Sequence, residues 1–108
     1  MAISLKRLEQ LLGRARALLG PDVTVQRLLI LLKVYGNEGL SQSELLGLLE
    51  GTSVTALSRN IADMSTRTSQ KRDGPGLLEL RTDIMNLRRK TIHLTKKGRR
   101  LVRTLLDE

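Results

Sequence analysis

Hydroxyl side chains and one guanidinium recur along one face of the segment 52–66. The apolar residues of this segment are spaced by three or four positions, so a helix would bury them together on one side; they are Val54, Leu57, Ile61 and Met64. The opposite side carries the candidate DNA contacts Thr52, Ser53, Thr55, Ser58, Arg59 and Ala62. A helix with small polar residues around one Arg fits the major groove of B-DNA and presents donors to base edges. The alternative is an ordinary short surface helix.

A second polar cluster lies within residues 77–98, which predict two strands joined by a basic loop. Each run alternates apolar and polar residues, so one face of each strand can be buried; the apolar positions are Leu78, Leu80, Ile92 and Leu94. The loop is expected to form a positively charged tip. Its candidate DNA contacts are Asn86, Arg88, Arg89 and Lys90. Asp83 and Arg88 are close enough across a short loop to pair. The alternative to DNA contacts by this segment is a merely soluble loop.

Between these two clusters, residues 65–76 contain no apolar side chain before the turn signal Gly74-Pro75-Gly76, which predicts a loop. Arg67, Lys71 and Arg72 are candidates for contacts with a phosphate backbone. The alternative is that the segment is merely a solvated linker. Its position next to the helix predicted over residues 52–66 favours phosphate contact.

Three further helices and a terminal one are needed to position these clusters. A stripe of leucines predicts an amphipathic helix over residues 4–19, which Gly20-Pro21 ends. A second helix, capped by Asp22 or Thr24, is apolar on nearly every side and is expected to be buried all round. Ser41 and Glu44 form a capping box at the start of a third helix. Thr95 is expected to cap the last helix, and a Gly turn at Gly51 joins the third helix to the fourth as in a helix-turn-helix.

The hairpin segment carries an Asp, an amide residue and an Arg at fixed spacing, followed by Leu-Thr-x-x-Gly at the next helix; these residues are Asp83, Asn86, Arg88, Leu94, Thr95 and Gly98. This segment resembles the wing, a β-hairpin, of the MarR family of winged-helix regulators. The family's wing has an Asp after the first strand, an acidic or amide residue three positions on, an Arg five positions on, and Leu-Thr-x-x-Gly at the next helix, and this chain fills those positions without a gap. The resemblance implies that an Asp83–Arg88 pair holds the wing rigid, that Arg88 or its neighbours reach a minor groove or a phosphate, and that the first helix is a dimer helix. The small size of the chain is expected to suit a phage- or plasmid-type member of that family.

Composition narrows the class of partner. The chain has 108 residues, which is one domain, and 19 basic against 11 acidic residues give a formal net charge of +8. This excess favours nucleic acid over a membrane surface. Without Cys there are no disulfides, and one His cannot build a metal site, so no catalytic residue, metal or cofactor is predicted and an enzyme is not expected. No signal peptide or membrane span is recognised, which predicts a cytoplasmic protein.

Together these patterns predict a mainly α fold with a two-stranded wing, in the order α1, α2, α3, α4 (recognition), β-hairpin, α5. The division expected is a dimer helix over 4–19, a helix-turn-helix with wing over 24–94, and a second dimer helix over 95–107. The chain is expected to bind double-stranded DNA as a homodimer and to repress transcription at an inverted repeat. Two alternatives stay open: an interaction module that grips an acidic protein, and non-specific DNA coating. Tyr35 is the only aromatic residue, so a small-molecule effector is not predicted.

Overall fold

The computed structural model describes residues 2–66 and 70–108, and over those ranges it contains five helices and three strands. The helices are α1 Leu5–Leu19, α2 Val25–Gly36, α3 Gln42–Gly47, α4 Val54–Asp63 and α5 Lys96–Leu106. The strands are β1 Leu40–Ser41, β2 Leu78–Asp83 and β3 Asn86–Leu94. This confirms the predicted mainly α winged-helix architecture and the order of its elements. No helix among the described residues is long and apolar enough to cross a membrane.

The sheet has one strand more than predicted. Its order is β1-β3-β2, with both pairs antiparallel, so the hairpin strand β3 lies in the centre. β1 contributes only two pairs, Leu40 with Ile92 and Ser41 with Thr91. A strand of two residues is too short to show a periodic pattern in the sequence. Its pairing with β3 connects the wing to the start of α3, because Ser41 is also the cap of that helix.

Side-chain caps fix where the helices begin. The hydroxyls of Ser4, Thr24, Ser53 and Thr95 each accept a hydrogen bond from the backbone N–H three residues later. At α3 both halves of the predicted capping box are present, since Ser41 accepts from the Glu44 N–H and Glu44 accepts from the Ser41 N–H. Each such cap stabilises its helix by about 1 kcal/mol. The caps predicted at Ser41 and Thr95 are confirmed, and Thr24 rather than Asp22 caps α2.

The main core lies between α2, α3, α4, the sheet and α5. It is built from aliphatic side chains and one Met, with Ile30, Leu31, Leu45, Leu57, Leu78, Ile92 and Val102 almost completely buried. Three expectations about this core were wrong. Val54 is 60% exposed and Leu80 is 46% exposed, since Val54 is the first residue of α4 and Leu80 lies on β2 at the edge of the sheet. α2 is not buried all round, since Leu29 is 40% exposed.

The N-terminus of α5 packs directly on the backbone that precedes β2. The Thr95 N–H donates to the Leu77 carbonyl at 3.0 Å, and the Thr95 hydroxyl donates to the Gly76 carbonyl at 2.6 Å. Gly98 is buried at this contact, and a Cβ there would lie 2.1 Å from the Leu77 oxygen. The Gly of the Leu-Thr-x-x-Gly pattern is therefore required by the close approach of two backbone segments.

His93 ties the sheet to the loop after α2. Its side chain is only 17% exposed, with Nδ1 3.1 Å from a carboxylate oxygen of Glu38 and Nε2 2.7 Å from the Thr91 hydroxyl. Arg99 of α5 donates to the other Glu38 oxygen at 2.6 Å. Glu38 thereby joins β3 to the first turn of α5.

Candidate nucleic-acid interface

The exposed face of α4 carries the side chains that its sequence pattern predicted. Leu57, Ile61 and Met64 are at most 3% exposed and hold the opposite face against the core. Thr55, Ser58 and Arg59 are exposed on the outer face, while Thr52 and Ala62 are half-buried. Ser53 is exposed, but its hydroxyl accepts the Ala56 N–H at 3.1 Å and serves as the helix cap. The outer face is a shallow depression bordered by Gln42, Val54, Thr55, Ser58, Arg59 and Ala62.

Arg27 of α2 fixes the position of α4 from its other side. Its Nε donates to the Asn60 side-chain oxygen at 3.1 Å, and its Nη2 donates to an Asp63 carboxylate oxygen at 3.2 Å. Both acceptors lie in the last turns of α4 and face away from the depression. This contact could not be predicted from the sequence, because no local pattern connects residues 33 and 36 positions apart.

The predicted phosphate contacts of the loop after α4 are only partly described. Arg67 lies outside the described residues. Lys71 and Arg72 are exposed, and Lys71 adopts a left-handed backbone conformation with φ of 59°. The two ends of the loop are joined, since the Gly76 N–H donates to the Ser65 carbonyl at 3.1 Å and the Leu77 N–H donates to the Met64 carbonyl at 2.7 Å. These bonds connect the end of α4 directly to the start of β2.

Asp83 pairs with Arg89, and the predicted pair with Arg88 was wrong. Arg89 Nη1 donates to Asp83 Oδ2 at 3.0 Å, and its Nη2 donates to Glu44 of α3. The guanidinium therefore bridges the wing to the capping box of α3, whereas Arg88 is exposed. Thr82 pairs with Lys90, whereas the next residue, Asp83, pairs with Asn86. Three residues of β3 therefore have no partner on β2. This bulge changes which Arg side chain meets Asp83.

The pKa shifts of Glu44, Asp83 and Arg89 agree with this bridge. Hydrogen bonds from the Ser41 N–H and from Arg89 lower the pKa of Glu44 from 4.5 to about 2. The Met85 N–H and Arg89 lower the pKa of Asp83, and the two carboxylates raise the pKa of Arg89. All three groups are therefore charged at neutral pH. Arg89 thus holds the wing against α3. In the sequence only Glu44 was recognisable, as part of the capping box, and nothing there indicated that it also binds Arg89.

The tip of the hairpin is apolar, which corrects the expectation of a positively charged tip. Ile84 and Met85 form the turn and are 90% and 92% exposed, and Leu87 is 76% exposed. The exposed cations Arg88 and Lys90 lie behind the tip on β3, with Asn86 between them and the turn. Asn86 is exposed, and its side-chain oxygen accepts the Arg88 N–H at 3.2 Å. The basic residues of this segment predicted a charged tip, but the turn itself consists of the apolar residues Ile84 and Met85.

The predicted site residues thus fall into two groups joined by the first turn of α3. Gln42 in that turn borders the depression on α4, and Glu44 in the same turn binds Arg89 of the wing. Thr55, Ser58 and Arg59 form one exposed group, and Arg88 and Lys90 belong to the other. Arg89 is committed to two carboxylates instead of facing outward.

Comparison with known proteins identifies the fold. No protein family's sequence profile and no curated protein sequence matches the chain. Among solved structures, the PcaV transcriptional regulator of Streptomyces coelicolor matches with a TM-score of 0.67 and 20% identity, over 99% of this chain and 76% of PcaV. MepR of S. aureus in a complex with DNA matches with a TM-score of 0.63 and 24% identity, over 94% and 77% of the two chains.

The structure of MarR itself matches with a TM-score of 0.61 and 22% identity, over 97% of this chain and 74% of MarR. The chain therefore has the winged-helix fold of these regulators. The resemblance inferred from the wing residues is confirmed at the level of the fold, and it extends well beyond the wing.

Proposed function

We propose that this protein is a sequence-specific transcriptional regulator that binds duplex DNA as a homodimer and represses by occupying an inverted repeat. The exposed face of α4 carries the proposal. Thr55, Ser58 and Arg59 stand on a helix whose opposite side is locked into the core, so their positions are fixed before any partner binds. Hydroxyl and guanidinium donors suit the major groove, where base edges offer acceptors.

The wing and the loop supply the non-specific part of this proposal. The exposed cations Arg88 and Lys90 on β3, together with Lys71 and Arg72 in the loop, are assigned to the phosphate backbone or the flanking minor groove. Arg89 is assigned to positioning the wing, because its guanidinium already meets Glu44 and Asp83. Solved MarR-type folds bound to DNA, such as the MepR complex, support the general mode of binding.

The surface of α1 supports a dimer. Leu5, Leu8 and Leu12 are 73%, 41% and 49% exposed, although they recur at the spacing of a buried helical stripe. Only Ala15 of this helix is fully buried. A second copy of the chain would cover this row, and a two-fold dimer reads an inverted repeat. In this proposal residues 4–19 and 95–107 form the dimer and residues 24–94 contact DNA.

Selection of bound sites from a random duplex pool, at near-physiological salt, tests the proposal. We expect an enriched inverted repeat with half-sites about one helical turn apart. Its affinity should exceed that of a scrambled duplex by roughly a thousandfold or more. Absence of enrichment, with affinity that collapses as salt rises, would identify a non-specific coating protein. Displacement of bound duplex by an acidic protein, with no sequence preference, would instead favour the interaction module.

Arg59→Ala tests the assignment of the recognition helix. We expect the affinity for the enriched site to fall by about ten- to a hundredfold, while the affinity for scrambled duplex changes little, because a base contact carries about 1–3 kcal/mol of discrimination. Arg81→Ala removes the same charge from an exposed position on β2 that the proposal assigns neither to DNA nor to the dimer, and it is the matched control. Equal effects of the two substitutions on the enriched site would contradict a base-reading role for Arg59.

A further inference from the structure

The hairpin tip carries the three most exposed large apolar side chains among the described residues. Ile84, Met85 and Leu87 are 90%, 92% and 76% exposed, and they lie within four positions of one another. Isolated apolar residues on a surface are common, but a cluster at a protruding turn is typical of a binding site. The cluster therefore calls for a partner that accepts apolar side chains.

The backbone of this tip is held in place before any partner binds. Asp83 Oδ1 accepts the Met85 N–H at 2.9 Å, and Asn86 accepts the Arg88 N–H at 3.2 Å. Asp83 Oδ2 is bound in turn by Arg89, which also reaches Glu44 on α3. The turn that carries Ile84 and Met85 is thus connected through side chains to the body of the domain. Presenting apolar groups on a fixed turn lowers the entropy lost when they are inserted into a partner.

The charges next to the tip indicate the class of that partner. Arg88 and Lys90 are exposed behind it, and Asp83, which directly precedes the turn, is already paired with Arg89. The first turn of α3 connects the wing with the depression on α4, because Glu44 binds Arg89 of the wing and Gln42 borders the depression. A single extended polyanion that contacts both surfaces matches this arrangement, and duplex DNA is such a polyanion.

We infer that the wing tip is an apolar wedge for the minor groove of duplex DNA. Ile84 and Met85 insert at one base step, and Arg88 and Lys90 bind the phosphates on either side of it. Ile, Met and Leu are among the side chains by which minor-groove proteins unstack a step and bend the duplex. Pyrimidine–purine steps open most easily, so the wedge selects such a step beside each half-site. This inference rests on the proposed function and adds to it the deformation of the DNA.

The test uses the full-length protein and the duplex obtained by selection, with 2-aminopurine at successive flanking positions and a fluorescent donor and acceptor at the two ends. We expect the 2-aminopurine emission to rise at one flanking step per half-site and the end-to-end distance to shorten. Ile84→Ser with Met85→Ser should abolish both signals and weaken binding by about tenfold, which corresponds to about 1.4 kcal/mol. Ile84→Leu with Met85→Leu keeps the apolar volume and should retain both signals.

Three outcomes decide against the wedge. If the double Ser variant keeps the affinity, the emission change and the bend, the wedge is refuted while the proposed function stands. If the wild-type protein binds no duplex from the pool, the proposed function fails and the wedge with it. Vesicles of phosphatidylserine and phosphatidylcholine supply the third: binding that the double Ser variant loses, with its DNA signals unchanged, would assign the tip to a membrane surface.

Discussion

Gly98→Ala should destabilise the protein even though it improves the helix propensity of α5. In a helix, Ala is favoured over Gly by about 1 kcal/mol. At this position, however, the new Cβ would lie 2.1 Å from the Leu77 oxygen and 2.9 Å from its carbonyl carbon, both backbone atoms. Relief requires the start of α5 to move by roughly 1 Å, since real Cβ contacts are not found under 3.0 Å.

That movement breaks two hydrogen bonds, from the Thr95 N–H to Leu77 and from the Thr95 hydroxyl to Gly76. Their loss costs about 1 kcal/mol each, and the overpacking costs about 1–3 kcal/mol. After subtraction of the gain in propensity, the expected net destabilisation is about 2–4 kcal/mol. For a domain of this size it corresponds to a fall in Tm of roughly 10–20 °C.

Gly47→Ala is the matched control. Gly47 is the last residue of α3, outside the proposed dimer, and a Cβ there meets no atom within 4 Å, so only the propensity changes. The control should gain up to about 1 kcal/mol. Urea unfolding followed by circular dichroism at one fixed protein concentration measures both variants, because dimerisation would make stability concentration-dependent. A Gly98→Ala protein within about 0.5 kcal/mol of wild type would refute the close-approach argument.

Two further predictions concern contacts that position the interface. Arg27→Ala should lower the free energy of unfolding in urea by only about 1 kcal/mol, because the hydrogen bonds to Asn60 and Asp63 are partly exposed. Arg59→Ala, an exposed control on α4 and outside the proposed dimer, should have little effect on stability. Equal losses in the two variants would contradict the contact between α2 and α4. The lowered pKa of Glu44 contributes stability that is complete above 4.5 and lost as the pH falls towards about 2. Glu44→Gln keeps a capping side chain but does not titrate, so its Tm should fall less steeply over that pH interval. A Tm that falls with pH as it does in the wild type would disprove the Arg89 bridge.

The sequence by itself determined the elements and most of their faces, because those depend on neighbours in the chain. A cap needs a hydroxyl three residues before an N–H, so Ser41 and Thr95 were recognisable. The spacing of Leu57, Ile61 and Met64 fixes which side of α4 is buried, whatever covers it. The Leu-Thr-x-x-Gly pattern was also recognisable, although the reason for its Gly, contact with the backbone of Leu77, was not.

Only the tertiary structure decided where the core ends and which charges meet. Val54 and Leu80 belong to apolar stripes, but they lie at the first residue of α4 and on the edge strand β2, and periodicity carries no information about which positions are covered. Asp83 meets Arg89 because a bulge in β3 shifts the register, and a bulge is set by pairing between strands rather than by either strand alone. Glu44 joins the same bridge from 45 positions away. Distances of this kind depend on the packing of the whole chain, which no local pattern specifies.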